Sequence, residues 1–194
     1  MKKIGKIFLI ILLLTPLVFA EPIPSFVTKG TYAIYDINAT VSAQGMSMSI
    51  TGTMKWEVKD RTSNLMIIDV STSLSAGPMK FEYEYEIHVN PNTGKVIKVK
   101  PIKGAPAPGA GIQEFSKTIF WYPTNVKVGS KINLPGGGIL TIVGEEIVTD
   151  KSGKAWNCWK GVTEEGVEIY FDKSTGLPIK VHYSQTAPGG TIVF

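Results

Sequence analysis

Cysteine is nearly missing from this chain. Cys158 is the only one in 194 residues, so no disulfide can form within the molecule, and none stands just after the N-terminal apolar segment where a lipid could be attached. Stability must therefore come from a buried core. Histidine is almost as scarce, with only His88 and His182, which leaves little for an imidazole-based metal centre or catalytic dyad. Charge excess is small as well. The formal net charge is +4, but three of the lysines, Lys2, Lys3 and Lys6, sit at the extreme N-terminus, and the remainder is close to neutral. Such a chain has no electrostatic footprint for wrapping nucleic acid or for adhering to an acidic membrane face. Also absent is any apolar pattern at helical spacing beyond the first twenty residues.

What is present begins with those twenty residues. A basic start, an apolar run from Ile7 to Leu14 and then Thr15-Pro16-Leu17-Val18-Phe19-Ala20 describe a secretory signal peptide over 1–20, with the mature protein beginning near Glu21. Ile7 to Ala20, interrupted by Pro16, is shorter than the about 20 residues that cross a bilayer, so a membrane association is expected only if this segment stays uncleaved. Residues 21–194 are expected to form a single β-rich domain.

Alternation with period two recurs through that domain. Phe81, Tyr83, Tyr85, Ile87 and Val89 take one face of a strand, and Glu82, Glu84, Glu86 and His88 the other. Met46, Met48, Ile50, Met54, Trp56 and Val58 alternate with serines, threonines and charges in the same way. The fold class read from this pattern is all-β, a curved antiparallel sheet in the form of a half-barrel or sandwich with one solvated face. Further strands are expected from about Thr31 to Ala43, Leu65 to Leu74, Ile139 to Val148, Trp156 to Thr163 and Val167 to Phe171, with a last one near Gly190 to Phe194.

Two stretches align without gaps, 89–99 and 171–181, each bent at a Thr-Gly turn (Thr93-Gly94 and Thr175-Gly176). They predict two equivalent hairpins, since glycine supplies the positive φ and Asn90 or Asp172 can bond back to the turn amides. Pairing Val89 with Lys95 sets Ile87 against Ile97, Tyr85 against Val99, Glu86 against Lys98 and Glu84 against Lys100. The same rule sets Phe171 against Leu177, Ile169 against Ile179, Val167 against Val181 and Glu168 against Lys180. Weaker echoes are Gly30-Thr31 with Gly129-Ser130, and Trp56 with Trp156. The Pro/Gly-rich run 101–111 reads as an irregular crossing over one sheet and 135–138 as a second loop.

Candidate chemistry is thin. Glu86 and His88 share a strand face, but Lys98 and Lys100 counter them, and a solvated face is the reading; no metal and no cofactor are expected. There is no Gly-x-Ser-x-Gly elbow, Gly136-Gly137-Gly138 lacks the lysine and helix of a phosphate loop, and Cys158 reads as a small buried hydrophobe. Asn38-Ala39-Thr40 is an N-glycosylation acceptor pattern. The remaining candidates are apolar: Met46, Met48, Met54, Trp56, Phe81, Tyr83 and Tyr85 face one interior, and pliable methionine beside aromatics suits an irregular apolar ligand as well as it suits packing.

The segment Tyr170-Phe171-Asp172-Lys173-Ser174-Thr175-Gly176-Leu177-Pro178-Ile179-Lys180, after Trp156-Asn157-Cys158-Trp159, resembles a loose group of uncharacterised exported β-rich proteins of archaea. In these an aromatic-Asp-Lys-x-Thr-Gly hairpin follows a cysteine-bearing strand. The resemblance covers about the last forty residues and implies a cell-envelope location. At fold level the chain is also similar to the half-barrel sheets of periplasmic lipoprotein carriers and mycobacterial lipid-binding lipoproteins, although their plugging helix has no counterpart here. Together these imply an exported, non-enzymatic envelope protein that binds an apolar molecule or lipidated partner on a concave sheet face. The alternative is an envelope protein–protein interaction module with a filled core and no ligand pocket.

Overall fold

Strand follows strand along the described chain, and within each run of five the connections are short. The structure is a computed structural model, and it describes residues 23–43, 46–104, 121–134, 138–187 and 190–193. The expected 1–20 signal and most of the two Pro/Gly-rich loops lie outside them. The strands are β1 (Tyr32–Ala43), β2 (Met46–Arg61), β3 (Met66–Ala76), β4 (Met79–Val89), β5 (Val96–Lys103), β6 (Lys131–Asn133), β7 (Ile139–Thr149), β8 (Ala155–Thr163), β9 (Glu168–Asp172), β10 (Pro178–His182), β11 (Ser184–Ala187) and β12 (Gly190–Val193). They form two antiparallel sheets that do not close into a barrel. One has seven strands in the order β11-β12-β1-β2-β3-β4-β5, the other five in the order β10-β9-β8-β7-β6. The all-β expectation therefore holds.

The two sheets are built alike. Each is a five-strand meander, β1 to β5 or β6 to β10, with β11 and β12 added beside β1. Each opens with the same glycine turn. Gly30 and Gly129 lie at φ 85° and 88°, and their amides donate to the carbonyls of Val58 and Ile142, both at 2.8 Å. Thr31 and Ser130 then turn back through hydroxyls that accept from the amides of Thr28 and Lys127 at 2.9 and 3.0 Å. In both sheets the second strand bulges just past that contact, after Val58 and after Ile142. The Gly30/Gly129 echo is thus structural, whereas Trp156 is no counterpart of Trp56: the matched pair Val58 and Ile142 puts Leu140 in that place.

The two hairpins are equivalent, but their register is two residues off the expectation. Ile87 faces Val99, Glu86 faces Lys100 and His88 faces Lys98; Ile169 faces Val181, Tyr170 faces Lys180 and Glu168 faces His182. The cause is the same in both. Each turn is closed one residue further out, by Asn90 with Lys95 and by Asp172 with Leu177, at 2.8 and 2.9 Å. Each returning strand then carries one extra residue, Ile97 or Ile179, at a bulge. Beyond each bulge the even slip keeps the side chains on their expected faces, while Val96 and Pro178, before it, turn inward opposite Val89 and Phe171. Ile97, expected inside, is 58 % exposed.

Ile87 and Ile169 are both buried, but in different clusters rather than one common interior. Ile87 joins Val27, Trp56, Val58, Met66 and Ile68 under the large sheet. Ile169 joins Tyr122, Leu140, Ile142, Trp159 and Phe171 on the small one. Each aliphatic side chain so buried contributes roughly 1.5–3 kcal/mol. Consecutive residues link the clusters: Trp121 meets Trp56 edge-on at 5.1 Å, and Tyr122 stacks on Phe171 at 4.6 Å.

The segment leading into each meander docks on that meander's own last turn. Ile23 donates its amide to Pro91 O at 2.8 Å, and Tyr122 donates to Gly176 O at 2.7 Å. Arg61 secures the first of these, its guanidinium donating to the carbonyls of Pro24 at 2.7 Å, Ile23 at 3.0 Å and Val27. In the second, a Cβ on Gly176 would stand 2.0 Å from Tyr122 O.

Two turn aspartates are locked in parallel ways. Asp172 is buried, which alone would raise its pKa, yet the hydroxyls and amides of Ser174 and Thr175 more than reverse that and lower it. Asp150, in the β7–β8 turn, is brought down to about 2, chiefly by the Ser152 hydroxyl and then by the Trp156 indole N–H.

Gly176→Ala is expected to cost about 3 kcal/mol or more, from a left-handed φ plus the backbone clash, against about 1–2 kcal/mol for Gly30→Ala, where the left-handed φ alone is strained. Urea denaturation of both variants measures the difference. A carboxylate depressed in the folded state stabilises above its unfolded pKa and loses that contribution as pH falls through the folded one. Stability should therefore fall between about pH 4 and pH 2, and Asp150→Asn should flatten that fall in acid-unfolding curves.

Candidate functional site

The apolar residues singled out from the sequence do share one face, and the packing divides them. The inner face of the large sheet carries Tyr35 opposite Met54, Ala33 opposite Trp56, Trp56 opposite Val70 and Thr72 opposite Tyr83. Trp56 and Tyr85 are sealed, at 2 % and 4 % exposure, in the cluster that Ile23, Val27 and Trp121 close. Met54 and Tyr83 lean on the same cluster and stay partly exposed. Further along, Met48 and Phe81 are partly exposed against a smaller group of Ala39, Ile50 and Ala76. Met46 opens β2 opposite Ala43, and its side chain lies outside the described residues. The face thus grades from a filled core at Trp56 to accessible apolar surface from Met54 and Tyr83 toward Met48 and Phe81.

Three residues at this site drew no notice in the sequence. Tyr35 was legible, since it falls in phase with Ala33 and Ala39 on a predicted strand. Trp121 and Tyr122 follow the Pro/Gly-rich region in no regular element, and no periodicity marks them. Burial pushes the Tyr35 phenol up to about 12, with Trp56 acting against that, and also holds the Tyr122 phenol well above its ordinary range.

The outer face of β2 to β5 carries the charged pairs. Lys55 and Glu57 pair at 2.7 Å, Lys103 and Glu82 at 2.6 Å, and Lys103 reaches Glu84 at 3.8 Å. These half-exposed pairs select register and contribute little stability. Lys55, Glu57, Lys59, Asp69 and Glu84 rim an open depression of about 270 Å³ whose lining also includes Val70, Tyr85 and Ile102. Asn38 is exposed on this face of β1, accessible to a glycan.

His88 Nε2 contacts Glu86 Oε1 at 2.9 Å with Lys100 at 3.7 Å from the same carboxylate, and the His88 contact lowers the Glu86 pKa most. No group of three or more His, Cys, Asp or Glu is placed to hold a metal ion among the described residues. Cys158 is fully buried, and burial, then Asp172 and Glu146, raise its thiol to about 11. Burial and a raised thiol pKa are the surroundings of a packed small hydrophobe.

The fold and this face define an all-β protein of two antiparallel sheets with an apolar inner surface. No family model matches the chain, and no curated protein matches it. Among solved structures it is similar to the hypothetical protein CT021 from Chlamydia trachomatis at 14% identity, over 85% of this chain and 84% of that one, with a TM-score of 0.34. A likeness of that degree carries no argument about function.

Cys158 should resist a thiol reagent at about pH 8 in the folded protein and react at once in denaturant, because thiolate fraction and access are both suppressed. Rapid labelling of the native state in an absorbance assay would contradict the burial described.

Proposed function

We propose that this is an exported, non-enzymatic protein of the cell envelope that holds an apolar molecule or lipidated partner against the inner face of its larger sheet. The observation that carries this reading is that Met48, Met54, Phe81 and Tyr83 stay partly exposed on the very face where Trp56, Val58, Ile68 and Ile87 are sealed. Apolar surface left open costs free energy unless something covers it. Methionine adapts to irregular apolar shapes without a fixed rotamer. The basic and apolar start of the chain supports export, and the resemblance of the 170–180 hairpin to exported archaeal proteins agrees with it.

A protein-interaction role has one observation of its own. Tyr32 and Ile34 are 60 % and 59 % exposed side by side on the outer face of β1. Recognition through a bare sheet edge has less support, because three edges are blunted: β5 carries Pro101, three lysines and a bulge, β10 opens with Pro178 and bulges at Ile179, and β6 is three residues long.

Native mass spectrometry of protein purified without detergent should find a co-purifying lipid mass, or uptake of a fluorescent fatty-acyl probe that Phe81→Lys reduces by about tenfold, as a charge placed against an acyl chain would. A clean unliganded mass with no uptake refutes the reading. In that case Ile34→Asp, tested for loss of a cross-linked envelope protein, addresses the outer face.

A further inference from the structure

The seam between the two sheets holds buried hydrogen-bond donors with nothing to donate to. The hydroxyls of Tyr35, from the inner face of the large sheet, and of Tyr122, stacked on Phe171 of the small one, are sealed from solvent and reach no hydrogen-bond partner. Trp159, inward on the small sheet, has an indole N–H in the same condition. Trp56 lies near enough to influence the Tyr35 oxygen without meeting full hydrogen-bond geometry. Buried polar groups in native proteins are paired as a rule, and an orphan is explained by a function or by a missing partner. A phenol can donate as well as accept and an indole N–H only donates, so an acceptor is the one kind of partner that would serve all three.

The surrounding charges decide which acceptor. Arg61, on the inner face at the far end of the large sheet, is engaged with the carbonyls of Ile23, Pro24 and Val27. Lys173, over the Trp159 ring at 4.3 Å, is paired with Glu145 at 2.7 Å. Neither of these two cations is free to meet a carboxylate or phosphate at the seam, and an unpaired anion there is strongly disfavoured. An uncharged carbonyl meets no such penalty. Resting on the function proposed above, we infer that Tyr35 and Tyr122 form a head-group site that takes the neutral carbonyl of a lipid ester, its chain running from Met54 and Tyr83 toward Met48 and Phe81. Both phenols stay protonated far above neutral pH because burial raises them, so they remain donors. The seam side chains must part for the carbonyl to enter, and the hydrogen bonds it brings offset that opening.

Tryptophan fluorescence, with Trp56 and Trp121 beside the site, reads binding of methyl palmitate, palmitate and hexadecane delivered from cyclodextrin at about pH 8. The expected result is that the wild-type protein binds the ester about tenfold more tightly than either the alkane or the free acid. In the Tyr35→Phe/Tyr122→Phe double variant, ester affinity should fall to that of the alkane, which itself is unchanged. Equal binding of ester and alkane, preference for palmitate, or an ester preference that survives the double substitution overturns the head-group site and leaves the apolar face standing. Failure of all three molecules to bind removes the proposed function and this site with it. The unliganded double variant should melt at or above the wild-type temperature, since it loses unsatisfied hydroxyls. A fall of several degrees would mean that those hydroxyls already have structural partners, and would overturn the assignment.

Discussion

Each half of this protein is closed by one backbone contact between the segment that enters it and the turn that ends it. In the second half that contact, Tyr122 N–H to Gly176 O at 2.7 Å, also fixes the joint between sheets. With Tyr122 anchored on the hairpin, its ring lies on Phe171, and Trp121, one residue earlier, meets Trp56 of the other cluster. Two adjacent aromatics thus tie the two hydrophobic clusters together. The first half achieves the same closure through Ile23 and Pro91, and there a guanidinium clamp from Arg61 holds the strap where the second half uses an aromatic pair.

Much of the strand pattern was legible because alternation of apolar and polar residues is a direct imprint of a half-buried sheet. Both Thr-Gly hairpins were legible for the same kind of reason: a positive φ at Gly94 and Gly176 and an Asx side chain at the turn entrance leave a local signature. Register was not. Ile97 and Ile179 are apolar and continue the alternation, so the sequence offers nothing to show that each is the extra residue of a bulge and that pairing slips by two. Two short strands, β6 and β11, carry no alternation long enough to register.

At the candidate site the shared face of Met48, Met54, Trp56, Phe81, Tyr83 and Tyr85 was legible, and its division was not. Whether an inward residue is sealed depends on what comes to lie over it, here Val27 and Trp121 from distant parts of the chain. Contacts of that kind leave no periodic trace. The same holds for Trp121 meeting Trp56 and Tyr122 stacking on Phe171, contacts that arise from topology alone.

Two like meanders in one chain carry a hazard of their own. Strands with matching geometry can pair across halves or across molecules, exchanging β1 for β6 and propagating from copy to copy. The chain's last two strands bear on this: β12 lies against Thr40 to Ala43 of β1, occupying the far end of the flank at which β6, its counterpart, stops after three residues. Unequal flanks make the halves poor substitutes for one another, so the C-terminal ribbon acts as a key that fits only one of two similar locks and discourages swapped oligomers.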